Sequence, residues 1–186
     1  MSKVSIIGAG MTGATTAHWL AQLDIADLVL LDVVEGMPQG KALDLLEALP
    51  VIGKDIKIIG TNDYQATENS DVIVITAGVA RKPGMSRDDL LTINAKIIRE
   101  AVQATLCCST NPIYVILTNP LDTMAYLSLK VTGLPRERVI GQAGILDSAR
   151  MRAFVAMELG VSVENIACYV LGGHGDEMVP LTRHSN

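Results

Sequence analysis

The stretch Val4–Leu20, VSIIGAGMTGATTAHWL, decides the fold. It begins as a short apolar run with β-branched residues, the pattern of a strand buried on both faces, and continues at helical periodicity. Where the two patterns meet, Gly8, Gly10 and Gly13 stand in the spacing G-x-G-x-x-G. The spacing alone is a weak signal, but a strand passing into a helix is the setting that gives it meaning. There the first glycine permits a tight turn, the second lets the backbone approach a pyrophosphate, and the third allows close packing of helix on strand. The first turn of the helix offers N–H groups and partial positive charge to phosphates. Asp32 ends the next apolar run, about 20 residues on, where a carboxylate accepts hydrogen bonds from an adenosine ribose. The same charge repels a 2′-phosphate, which favours NAD over NADP. The competing reading makes the glycines simple turn residues and Asp32 a solvated strand end.

Working outward, short apolar runs alternate with helical patterns along the rest of the chain. Strands are predicted at Val4–Ile7, Leu28–Leu31, Ile56–Ile59, Val72–Ile75, Tyr114–Leu117, Val139–Ile140 and Ile166–Leu171. Helices are predicted at Thr12–Leu23, Pro38–Leu49, Asp88–Ala104, Leu121–Val131 and Ile145–Leu159. The β-α-β-α-β order occurs twice, so the expected class is α/β, a doubly wound parallel sheet of Rossmann type, with its ligand crevice at the carboxyl ends of the strands. The organisation changes near Gly141–Gly144. That predicts a nucleotide-binding domain over 1–141 and the start of a second, α+β domain over 142–186.

Composition narrows the function classes. The 186 residues are 49% hydrophobic and 19% charged, as in an ordinary globular protein, and one Phe and one Trp leave the core to aliphatic side chains. A net charge of -5 argues against a nucleic-acid partner, which calls for a basic stripe. Three cysteines, two of them adjacent at Cys107 and Cys108, form no CxxC pair and no zinc-spaced cluster with histidine. Buried thiols in a reducing compartment, and no metal, are expected. With neither a signal-peptide pattern nor a run long enough to span a membrane, the expected location is the cytoplasm. Two apparent motifs are structural. GMPQGKA (Gly36–Ala42) has three residues between its glycines and no Ser or Thr after Lys41, so it is not a phosphate-binding P-loop. NPIY (Asn111–Tyr114) leads into an apolar strand.

The chemistry-bearing residues follow the later strands. AGVARKPGMSRDDLL places Arg81 and Arg87 on either side of a Pro-Gly bend. Such a loop fits a lid that meets an anionic substrate from two directions, and equally a solvated basic loop. In LTNPLD, Asn119 precedes Pro120, where the backbone is extended and a cis bond is open to consideration. GILDSARMRAF sets Asp147 and Arg150 on one helix face, as a surface ion pair or as working groups. His174, in GGHGD, sits after a strand among glycines that would let a substrate approach, although a lone histidine also suits a structural role.

Taken in order, GAGMTG, DVVEGMPQGKALDL, ARKPGMSRDDLL, TNPLD, GQAGILDSARMR and GGHGDEMVPL resemble the malate dehydrogenase family in its lactate-dehydrogenase-like branch, over essentially the whole chain. The resemblance implies reversible oxidation of malate to oxaloacetate with NAD, as in the tricarboxylic acid cycle. It implies that His174 exchanges the proton and that Asp147 orients its imidazole and stabilises the protonated form. Arg150 would grip the C1 carboxylate through a two-pronged contact, Arg87 would polarise the reacting carbonyl, and Asn119 would orient substrate and nicotinamide. The loop Gly8, Ala9, Gly10, Met11, Thr12 and Gly13, with Asp32, Asn94, Leu117, Thr118 and Asn119, would bind NAD. Arg81 would receive the second carboxylate where lactate enzymes carry a glutamine. A charged hydrogen bond there contributes roughly 1.5–3 kcal/mol, or about 10- to 150-fold in preference for a dicarboxylate. A homodimer or homotetramer is also implied, with the helix Pro38–Leu49 at a subunit contact. Members of the family continue well past His174, so most of the substrate domain is expected beyond this chain. The apolar faces of Ile145–Leu159 and Ile166–Leu171 are then expected to be exposed. The alternatives are an NAD-binding fragment without turnover and a lactate-type 2-hydroxy acid dehydrogenase.

Overall fold

Eight strands and five α-helices make up the described part of the protein, residues 2–185 of a computed structural model. The chain divides into two units, Met1–Ile140 and Gly141–Asn186.

In the first unit the order is β1 (Ser2–Ile7), α1 (Met11–Leu23), β2 (Ala26–Leu31), α2 (Met37–Ala48), β3 (Ile58–Thr61) and β4 (Val72–Ile75). Then come α3 (Arg87–Cys108), β5 (Ile113–Ile116), α4 (Leu121–Thr132) and β6 (Val139–Gly141). The sheet runs β3-β2-β1-β4-β5-β6, and the pairs from β3 to β5 are all parallel. This is the expected doubly wound sheet. Its order reverses between β1 and β4, so the crevice opens where Gly8 and Thr76 leave the two strands. The apolar runs are continuous because both faces of the sheet are covered: Ile6, Leu30, Ile73, Ile75 and Ile116 are all fully buried or nearly so. On α1 and α2 the buried positions include Ala17, Ala21 and Ala42, small side chains that let these helices lie close to the strands. On α3 they include Ile98 and Val102, and on α4 Met124.

Most boundaries shift by a residue or two from the sequence expectation, and three of the shifts have a local physical reason. The strand expected at Ile56–Ile59 lies at Ile58–Thr61, because its ladder with β2 begins at Leu28↔Ile58; Ile56 is buried but outside the strand. Helix α3 starts at Arg87 under a capping box. Ser86 Oγ accepts the Asp89 N–H at 3.0 Å, and the Asp89 carboxylate accepts the Ser86 N–H at 3.0 Å and its hydroxyl at 2.6 Å. Those bonds hold the Asp89 carboxyl below its ordinary pKa. The helix then runs to Cys108, one turn beyond expectation, since no glycine or proline interrupts it.

In the second unit α5 (Gly144–Leu159) is followed by a 3₁₀ turn at Val163–Asn165 and a hairpin of β7 (Val170–Gly172) with antiparallel β8 (Met178–Pro180). The strand expected at Ile166–Leu171 is therefore much shorter. Ile166 and Cys168 are buried with Ala156 of α5, so they are apolar for packing, but strand pairing begins only at Val170. Ile145, Phe154, Met157, Tyr169 and Leu171 are exposed.

Among the described residues no helix is long and apolar enough to cross a membrane, and no cluster of three or more metal-ligating side chains occurs. The thiols are not uniformly buried as expected. Cys168 is, but Cys108 is partly exposed and Cys107 exposed, because Cys107 lies one turn after the exposed Gln103 on the outer face of α3.

Candidate active site

The three glycines of the first loop have different physical reasons. Gly8 has φ +106°, and a Cβ there would stand 2.7 Å from the Ala77 nitrogen. At Gly13 a Cβ would stand 1.8 Å from the Gly8 carbonyl oxygen, so the helix can cross the strand end only without one. Gly10 is unlike both. Its φ is -65°, and nothing lies within 4 Å of a Cβ built there. The protein's own packing does not require that glycine, whereas a ligand approaching the backbone would. Gly10 is the N-cap of α1, without a side-chain cap and without an acidic residue in the first turn that follows, formed by Met11, Thr12 and Gly13. Its N–H groups and dipole suit an anion.

Asp32 follows β2 and faces this loop. Its Oδ2 accepts the Ala9 N–H at 2.6 Å and its Oδ1 the Val34 N–H at 3.0 Å. A carboxylate has about four acceptor positions, so capacity for ribose hydroxyls remains. Gly8, Gly10 and Asp32 line one cleft of about 450 Å³, together with Tyr64, Thr76 and Glu100. The last three were not singled out in the sequence. Thr76 donates to the Gly8 carbonyl at 3.0 Å, and its place at the end of an apolar strand was the available signal. Tyr64 sits in a 3₁₀ turn with no periodicity to mark it. Burial raises its phenol pKa, and Glu100 and Asp32 raise it further. The cleft, the carboxylate and the open Gly10 together fit a dinucleotide.

The other first-unit candidates lie after β4 and β5. Asn94, buried in α3, braces the two loops: its Oδ1 accepts the Val79 N–H at 2.8 Å, and its Nδ2 donates to the carbonyls of Asn119 at 2.7 Å and Val79 at 3.2 Å. Leu117 extends β5 by donating to Ile75, and the buried Thr118 hydroxyl donates to the Ala77 carbonyl at 2.8 Å. Asn119 is exposed and its bond to Pro120 is cis. Arg81 is exposed, with its Nε donating to Met85 at 3.1 Å, and Arg87 is the first residue of α3.

In the second unit His174 and Asp147 come together. Asp147 lies in the first turn of α5 with its side chain only 4% exposed, and its Oδ2 is 2.8 Å from His174 Nδ1. The Val170 N–H donates to Ser148 Oγ at 3.0 Å, tying β7 to the same helical turn and bringing the β7–β8 loop with His174 over Asp147. A carboxylate on Nδ1 fixes the ring's orientation and tautomer and directs its acid–base function to Nε2. Arg150 Nη1 approaches Asp147 Oδ1 at 3.5 Å while the guanidinium stays largely exposed. Burial of Asp147 distinguishes this arrangement from a plain surface ion pair.

A doubly wound sheet, a glycine loop open to a ligand and an acid at the end of β2 define a dinucleotide-binding α/β protein. The chain belongs to the lactate/malate dehydrogenase family: residues 2–141 match its NAD binding domain and residues 145–186 its alpha/beta C-terminal domain. It is 60% identical to the malate dehydrogenase of Desulforudis audaxviator (strain MP104C), over 98% of this chain and 59% of that one. Its structure is similar to the malate dehydrogenase from Picrophilus torridus in its apo form, with 49% identity and a TM-score of 0.95, covering 100% of this chain and 59% of that one. It is also similar to the lactate dehydrogenase from Cryptosporidium parvum complexed with lactic acid and nicotinamide adenine dinucleotide, with 41% identity and a TM-score of 0.94, over 100% and 58% of the two chains. The chain thus spans about 59% of the length of the curated relatives it matches.

Proposed function

We propose that this chain carries the NAD-binding and proton-transfer residues of a malate dehydrogenase, which interconverts (S)-malate and oxaloacetate. The observation that carries the reading is the 2.8 Å contact of His174 Nδ1 with the buried Asp147 carboxylate. The loop of Gly8, Ala9, Gly10, Met11, Thr12 and Gly13 would hold the pyrophosphate of NAD and Asp32 its adenosine ribose, and the bound group would supply the hydride acceptor for malate or, reduced, the hydride donor for oxaloacetate. Asn94, Leu117, Thr118 and Asn119 hold the loops at the nicotinamide end. His174 gives a proton to the carbonyl oxygen of oxaloacetate, or takes one from malate. Arg87 stabilises the charge developing on that oxygen, Arg150 takes the C1 carboxylate and Arg81 the distal one, while Asn119 orients the substrate. A cytoplasmic homodimer or homotetramer working in the tricarboxylic acid cycle fits the same reading.

A lactate-type activity is the second reading, favoured by the likeness to the Cryptosporidium parvum lactate dehydrogenase. Arg81 discriminates between them. NADH oxidation followed at 340 nm should show oxaloacetate preferred to pyruvate, and Arg81→Gln should shift that preference toward pyruvate by roughly 10- to 150-fold. Equal specificity constants for the two substrates, or no change on substitution, would contradict the assignment.

A further inference from the structure

Lys41 lies in the segment Gly36–Ala42, whose spacing assigns it no role. Folded, it reaches across thirty-two positions, and its Nζ donates to the carbonyl oxygen of Ala9 in the middle of the glycine loop. The helix that carries it is fixed against the strand end that carries Asp32. A Cβ on Gly60 of β3 would stand 2.1 Å from the Pro38 carbonyl oxygen, so α2 lies directly on the sheet. One turn of α2 is further tied through Gln39 Nε2, which donates to Asn62 Oδ1 at 2.6 Å, while Asn62 Nδ2 donates to the Asp32 carbonyl at 2.7 Å.

From this geometry we infer that Lys41 is a positioning residue for the dinucleotide: it sets the direction of the Gly10 N–H and removes a backbone oxygen from the path of the pyrophosphate. A planar trans peptide points its C=O and N–H in opposite directions. Asp32 fixes the Gly8–Ala9 peptide through the Ala9 N–H at 2.6 Å, and Lys41 fixes the next peptide through the Ala9 carbonyl. Holding that carbonyl toward α2 turns the Gly10 N–H away from α2, and Gly10 lines the cleft that also contains Asp32. The Ala9 side chain is fully buried, so the residue has no room to rotate and relax. Without Lys41 the negative end of a peptide dipole would be unpaired beside a bound anion. With it, a positive charge stands behind a helix N-terminus whose first turn carries no acid.

The inference rests on the dinucleotide reading and deepens it. It is tested by titrating NADH, and separately adenosine, into the wild-type chain, Lys41→Met and Lys41→Arg. Energy transfer from Trp19, the only tryptophan, to NADH is one readout, and calorimetry covers both ligands. The adenosine arm separates the roles, because adenosine has no pyrophosphate. Lys41→Met should weaken NADH on the order of tenfold, the lower end for a partly exposed charged hydrogen bond. Adenosine affinity should be unchanged, and Lys41→Arg should restore most of the NADH affinity. Circular-dichroism melts verify that each variant is folded; if Lys41→Met is not, Lys41→Gln replaces it with the same expected split. Unchanged NADH affinity in a folded neutral variant would overturn the inference, as would equal weakening of NADH and adenosine. A wild-type chain that binds no NADH would remove the dinucleotide reading itself, a result distinct from either.

Discussion

Gly10→Ala and Gly13→Ala are the same chemical change three residues apart, and the structure assigns them opposite consequences. At Gly10 the backbone, φ -65° and ψ -164°, is open to any residue, and nothing lies within 4 Å of the new methyl. Loss of glycine's unfolded-state freedom stabilises by about 0.4–1 kcal/mol. Alanine's inferiority to glycine as an N-cap takes back about the same amount. The net change is within about 1 kcal/mol, a Tm shift of roughly 4 °C or less. The methyl nevertheless occupies the ground over which a pyrophosphate must approach. Losing one charge-assisted hydrogen bond to the loop costs roughly 1.5–3 kcal/mol, so NADH affinity should fall about 10- to 150-fold. At Gly13 the methyl would sit 1.8 Å from the Gly8 carbonyl oxygen, a backbone atom that cannot swing aside. Overpacking of this kind costs at least about 1–3 kcal/mol before any ligand is added. Thermal melts and NADH titrations on the two variants read both effects. A stable Gly10→Ala that binds NADH like wild type would refute the reasoning, as would a Gly13→Ala as stable as wild type.

Other consequences concern the second unit and the tyrosines. His174→Asn should leave NADH affinity intact while oxaloacetate turnover falls by about 10²–10⁴, the range for loss of a general acid–base; turnover within a few-fold of wild type would remove His174 from the proton transfer. Tyr64 and Tyr114 both have raised phenol pKa values, above 10.0, through burial first. The folded state therefore holds these protons more tightly than the unfolded chain. Their contribution to stability is complete below pH 10 and is lost as pH rises through the folded values. Ultraviolet difference titration should show late-ionising tyrosine, and Tyr64→Phe should remove one late step. No late step in the wild-type chain, or none lost on the substitution, would contradict the burial argument.

What could be read in advance was local. The strand–glycine–helix passage and Asp32 lie within one β-α-β unit, and the alternation of apolar runs with helical patterns is enough to class the sheet as parallel and doubly wound. Ile56 and Ile166 show the limit of that pattern: both are buried, yet neither lies in its strand, because apolarity reports burial and not ladder partners. The hairpin strand Met178–Pro180 was illegible for a related reason, being short and fully exposed. In the candidate site, Arg150, Asp147 and His174 are legible as residue types, but the pairing of Asp147 with His174 is implied only by the family resemblance and not by spacing, since the two are 27 positions apart. Lys41, Asn62 and Tyr64 escape for the same reason. Their contacts with the glycine loop and Asp32 are set by how α2 and β3 pack, which no spacing encodes.

If the cleft between Gly10 and Asp32 receives NAD, a paired titration of NADH and NADPH into the chain will distinguish the two dinucleotides. The Asp32 carboxylate accepts two backbone N–H groups at the cleft, so a 2′-phosphate there would stand against a group of like charge. NADH should bind saturably, and NADPH more weakly on the order of a hundredfold. NADPH binding as tightly as NADH, or neither binding at all, would contradict the NAD reading.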